Sequence, residues 1–173
     1  MQEPQSTAGI ARVFTFITWL LLLGGLFWFF QDYLAKQDNP NQQLHSLRGG
    51  QGEVITELTR NRAGHYVGTA LINQQKVTFL LDTGATKVAV PSAIAQQLGM
   101  PRGAAIQVMT ANGVAQAWRS EIASLQLGDI VLTQVAASIV PNMGGTEILL
   151  GMSALKQLEF RQQGNQLTLI QRN

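Results

Sequence analysis

Phe79–Thr86 reads FLLDTGAT: three apolar residues, then an acid, a hydroxyl residue and a glycine. The continuous apolar run predicts a strand that carries Asp82 toward a buried region. A carboxylate is costly there unless hydrogen bonds or function hold it. The nearest upstream base is Lys76, at the start of the strand. Asp-Thr-Gly alone also suits an ordinary turn. In this setting Thr83 offers a hydroxyl to backbone across an interface, and Gly84 lets amides come close to the acid.

Outward from this stretch the texture is of short strands and turns. His65–Leu71 alternates, and Asn73-Gln74 turns it into Lys76–Leu81, a hairpin feeding the acid. Val88–Val90 is a short strand, and Pro91–Leu98 a short helix with Pro at its start and Gly99 beyond its end. Ile106–Thr110 and Val114–Trp118 flank Ala111-Asn112-Gly113, a strong hairpin signal. Trp118 fits the hairpin's base as a core residue or a pocket wall. Strands are expected at Ile122–Leu127, Ile130–Val135 and Ala137–Val140, with Gly128-Asp129 as a turn. Ile148–Leu150 is fully apolar and ends in Gly151; Met152–Leu158 suits a helical turn or two. Val54–Leu58 and Gln166–Gln171 complete a mainly β domain over 53–173, a small closed barrel or sheet with one or two short helices.

The chain is 46% hydrophobic and 13% charged, and part of that imbalance is local. Val13–Phe30 carries no charge and is bracketed by Arg12 and Asp32. Such a run is just long enough to cross a bilayer core of about 30 Å. It ends in Trp28-Phe29-Phe30, with no small-residue cleavage site, so an uncleaved transmembrane anchor is expected over 13–30 rather than a signal peptide or a buried helix. Residues 1–12 form a short tail. Residues 31–52, rich in Gln, Asn and Gly, read as a flexible tether, the alternative being an irregular arm packed on the domain. Arg12 favours the tail inside, although Lys36 follows the run. The domain is therefore expected outside the cytoplasm.

Whole chemistries drop out. There is no cysteine, hence no disulfide, thiol nucleophile or thiolate metal site. The net charge of +2 comes from scattered bases, so no nucleic-acid partner is expected. His45 and His65 meet no serine elbow. No residue set has metal-ligand spacing, and Gly144-Gly145 is no phosphate loop. No metal or cofactor is expected.

Leu80–Thr86 resembles the catalytic loop of retropepsin-like (clan AA) aspartic proteases, hydrophobic-Asp-Thr-Gly-Ala-[Ser/Thr]. Leu149, Leu150 and Gly151 resemble the second hydrophobic-Gly element that packs behind that loop, and the Asn112-Gly113 hairpin stands in the flap's place. With its anchor, the chain resembles the bacterial single-pass, membrane-anchored members, located in the inner membrane.

The resemblance implies a single retropepsin-like lobe that hydrolyses peptide or protein substrates. Asp82 would be catalytic, supported by Thr83, Gly84, Ala85 and Thr86. Thr110, Ala111, Asn112 and Gly113 would contact substrate or scaffold the flap. The chemistry needs two acids sharing a proton, and Asp32, Asp38 and Asp129 lack a following Thr-Gly or Ser-Gly. A homodimer is thus implied, Asp82 from each chain meeting at a two-fold axis, with Gln166–Gln171 and Val54–Leu58 as candidates for a shared sheet. Two other readings remain: a non-catalytic binding or dimerisation module of the same fold, and a structural β domain in which Asp82 is a turn residue.

Overall fold

The computed structural model describes residues 7–50, 52–110 and 113–172. The chain forms two compact units, divided after Gln37. The first holds all but the last residue of helix α1, Thr7–Asp38, whose 32 residues extend about 48 Å. It is long and apolar enough to cross a membrane, and Leu20–Leu23 and Phe27–Phe30 are exposed along it. Near its end Lys36 donates to Asp32 at 2.7 Å.

The structure corrects the expected tether. The helix continues through Asp38, and the chain then packs on the second unit. Asn41 is buried. Its side-chain amide donates to the carbonyls of Thr59 and Val67 at 2.9 and 2.6 Å, and its Oδ1 accepts from the Thr59 amide at 2.7 Å. β1 (Ser46–Arg48) then pairs antiparallel with β2 (Val54–Thr59). Side-chain-to-backbone bonds and the β1–β2 ladder hold this arm, with Leu44 packed against the core, so no hydrophobic period marks it.

β3 (Val67–Ile72) and β4 (Gln75–Leu81) form the hairpin expected ahead of the acid. Asn73 and Gln74 both have positive φ, +48° and +69°, as a tight primed turn requires. His65 falls in the irregular approach to β3, not in the strand, and its amide donates to the Asn61 side chain at 2.9 Å.

β5 (Val88–Pro91), helix α2 (Ser92–Gln97) and the hairpin of β6 (Ala105–Thr110) with β7 (Gly113–Leu127) follow. β7 and β8 (Ile130–Val140) are single long strands where shorter ones were expected; they pair from Trp118↔Ile139 to Leu127↔Ile130. After β9 (Glu147–Leu150) comes the short helix α3 (Met152–Leu155). The seven-stranded sheet has the order β3-β4-β9-β5-β8-β7-β6. Leu71↔Gln126 and Ile72↔Leu125 join β3 back to β7, so six strands run in a ring.

Alternation sends Phe79, Val88, Val90, Ile122, Ile148 and Leu150 into one core. β4 is partnered on both sides and its centre, Phe79, is fully buried. That is why the residues before Asp82 are so apolar.

The second sheet has the order β1-β2-β11-β10, with β10 (Glu159–Gln163) and β11 (Gln166–Gln171) as a hairpin. β10 was not expected. It is nearly all exposed and so lacks an apolar alternation. β11 pairs with β2 of its own chain, Leu167↔Leu58 through Gln171↔Val54. Both its edges are occupied within the chain, and the sheet's free edges belong to β1 and β10.

Candidate active site

β4 and β9 lie parallel, Leu80 beside Leu149 and Leu81 beside Leu150. Where they end, the Asp82 amide donates to the Leu150 carbonyl at 3.1 Å. β5 returns on the other side of β9, Ala89 opposite Leu149. The loop 82–87 therefore spans the end of β9, between two strands that sandwich it.

Three consecutive residues beyond β9 fasten that loop from below. Gly151 lies so close that a Cβ on it would be 2.6 Å from the Ala85 carbonyl oxygen. The Met152 amide donates to that same oxygen at 2.8 Å. The buried Ser153 hydroxyl accepts from the Val88 amide at 3.0 Å and donates to the Ala136 carbonyl at 2.7 Å, tying β5 to β8. Within the loop the Gly84 amide donates to Asp82 Oδ1 at 2.9 Å, and the Ala85 amide to the Asp82 carbonyl at 3.3 Å.

A cleft of about 1070 Å³ opens above the loop. Asp82, Gly84, Ala85 and Thr86 form its floor, and Ala89 and Leu149 contribute from the two flanking strands. The β6–β7 hairpin borders it with Ile106–Thr110 and Val114–Gln116. Asp82 is the one acid among the described lining residues. It is half-buried rather than buried, a correction to the sequence expectation: full burial of β4 ends at Phe79, and Leu80 and Leu81 are themselves half-buried where the strand meets the cleft.

Thr83 is exposed and does not line the cleft. Among the described residues its hydroxyl has no hydrogen-bond partner. Leu150 is in the core and Gly151 lies beneath the loop. Thr110 lines the cleft, and its hydroxyl donates to the Gly113 carbonyl at 2.8 Å across the hairpin end. Ala111 and Asn112 lie outside the described residues. Trp118 packs against the core, with the Arg102 guanidinium 3.3 Å over its ring, and does not line the cleft.

Sequence reasoning missed Lys87, Ser138, Val140 and the β8–β9 segment Asn142–Gly144, all of which line the cleft. The available signal was Ser138 itself, a polar residue interrupting the apolar run Ala136–Val140.

Residues 68–157, about half of the chain, match the family described as "gag-polyprotein putative aspartyl protease". Among solved structures the chain is similar to a retropepsin-like aspartic protease from Rickettsia conorii, with a TM-score of 0.57 and 30% identity, covering 68% of this chain and 98% of that one. An uncharacterized protein in the cobV 5' region of a Sinorhizobium species is 33% identical over 116 residues, 65% of this chain and 49% of the relative. An uncharacterized protein from Rickettsia prowazekii (strain Madrid E) is 31% identical over 114 residues, 62% of this chain and 46% of the relative. The chain spans about half the length of these two curated relatives.

Proposed function

The chain belongs to the gag-polyprotein aspartyl protease family, with a retropepsin-like fold, and on that footing we propose that it is a membrane-anchored aspartic endopeptidase, active as a homodimer. One observation carries the reading: Asp82 is the one acid among the described residues of a cleft large enough for a peptide, held on a loop fastened from below. One carboxylate per chain cannot run a two-acid reaction, so the second comes from a second copy.

The two Asp82 carboxylates share one proton, because like charges so close cannot both ionise. The ionised one takes a proton from a water molecule that attacks the peptide carbonyl. The protonated one donates to the developing oxyanion, and no covalent intermediate forms. Thr83, exposed beside the acid and without a hydrogen-bond partner among the described residues, bonds the opposite loop. The dimer contact involves this loop and the free outer strands β1 and β10, since β2 and β11 are paired within the chain. The β6–β7 hairpin closes over an extended substrate. α1 anchors the enzyme in the inner membrane with the domain outside the cytoplasm, and shared tethering raises the effective concentration for pairing.

The test uses the full chain in detergent micelles, wild type beside Asp82→Asn, incubated with a diverse peptide library from acidic to neutral pH. New termini are read by mass spectrometry and the oligomeric state by sedimentation. Cleavage by wild type alone, from a dimer, establishes the activity. Cleavage by both removes Asp82 from the chemistry, and cleavage by neither, from a folded dimer, points to a binding module.

A further inference from the structure

The cleft has a second built feature away from the acid. Leu149, Ala89 and Ser138 are register partners on the adjacent strands β9, β5 and β8, and Val140 follows two residues on. Their sequence neighbours Val88, Val90, Ala137, Ile139, Ile148 and Leu150 fill the core, so this row faces the other way, into the cleft. Ser138 is only 3% exposed, and its hydroxyl has no hydrogen-bond partner among the described residues. A buried hydroxyl left without a bond is costly and calls for an explanation. Everything else in the row is apolar.

Lys87 lines the same cleft and is the one base among its described lining residues. It makes no ion pair with any described residue. Glu147, two residues before Leu149 on the same face of β9, does not line the cleft. Among the described residues the cleft thus holds a hydroxyl without a bond and an ammonium without an ion pair, two donors that a single carboxylate can satisfy together.

We propose that this face is a side-chain subsite selecting an acidic residue of the bound peptide, near the scissile bond. The peptide's carboxylate accepts a hydrogen bond from Ser138 Oγ and pairs with the Lys87 ammonium. The small side chains of Ala89 and Ala115 leave room for it. The inference rests on reading the cleft as a peptide site, but selection at the subsite does not depend on turnover.

The test is therefore binding as well as cleavage. Fluorescent extended peptides, in matched sets carrying Glu, Gln or Leu at each position in turn, are titrated by anisotropy against full-length Asp82→Asn in detergent micelles. The wild type is profiled on the same peptides by mass spectrometry. Glu at one position should bind about tenfold more tightly than Gln or Leu. That ratio should fall below about threefold when Ser138→Ala or Lys87→Met is added. Lys76→Gln, an exposed base outside the cleft, should keep it. Lys87→Met serves if Ser138→Ala proves unstable.

Equal binding at every position, no binding at all, or a preference that survives both changes overturns the subsite. Peptides cleaved without any preference for Glu overturn it while leaving the endopeptidase reading intact. Selective binding without cleavage supports the subsite and removes the endopeptidase.

Discussion

Gly151 lies directly beneath Ala85: a Cβ on Gly151 would be 2.6 Å from the Ala85 carbonyl oxygen and closer still to that of Lys87. Both obstacles are backbone, in a segment also held by the Met152 amide. Gly151→Ala should therefore cost at least about 3 kcal/mol and displace the loop that carries Asp82. A lower thermal midpoint together with lost cleavage checks this. An unchanged midpoint would mean that the loop can lift without penalty.

Asp82→Asn should leave the fold nearly intact. The acid is half-buried, and an asparagine Oδ1 can still accept from the Gly84 amide. Stability should change by less than about 1 kcal/mol. Peptide cleavage should fall by about a thousandfold or more. The two readouts, taken on one preparation, separate chemistry from folding.

Ser153→Ala removes two hydrogen bonds from a buried position and leaves the Val88 amide unpaired. A loss of about 2 kcal/mol is expected. Hydrogen exchange at Val88 should accelerate ahead of exchange in β7. Protection at Val88 equal to wild type would show that another acceptor replaces the hydroxyl.

Asn41→Ala should be as damaging as a core truncation, at about 2–4 kcal/mol, because the carbonyls of Thr59 and Val67 and the Thr59 amide all lose a partner. Urea midpoints of the two full-length proteins measure it. A chain shortened to begin at Glu53 should be weakened at least as much, since it also loses β1.

Glu159 sets a mild acid sensitivity in the second sheet. Its carboxyl is held below the ordinary value of 4.5, first by the hydrogen bond from Arg161 and then by the charges of Arg161 and Arg172. A carboxylate with a lowered pKa stabilises the fold above its unfolded value and loses that contribution as pH falls through the folded one. Wild type should thus hold a small thermal advantage over Glu159→Gln near neutral pH. The advantage should fade below about pH 4.5, read as the midpoint against pH. The two arginines are exposed and Glu159 is only half-buried, so the effect should weaken in salt.

Much of the site was legible because its signals are local. An apolar run into Asp-Thr-Gly, a turn at Asn73-Gln74 and an apolar run ending in Gly151 are each complete within a few residues. Ser138 left only a faint signal, one small polar residue within the apolar run Ala136–Val140, and its role needed the register with Ala89 and the burial of its hydroxyl. Asn41 was missed for a similar reason: a polar residue in a Gln- and Asn-rich stretch looks solvated until its partners, Thr59 and Val67, are known.

The sequence by itself determined most of the strands that build the core, which loop carries the acid, and that an apolar helix precedes the domain; β1 and β10, which present no apolar alternation, lay beyond it. The features it determined follow from periodicity, turn chemistry and composition, which act over a few neighbouring bonds. Only the tertiary structure decided that β9 runs parallel to β4 beneath Asp82, that β11 is paired within its own chain, and that Ser138 faces the cleft. Each of these depends on pairing between strands far apart in the chain, where many registers satisfy the same local pattern and packing of the shared core selects one.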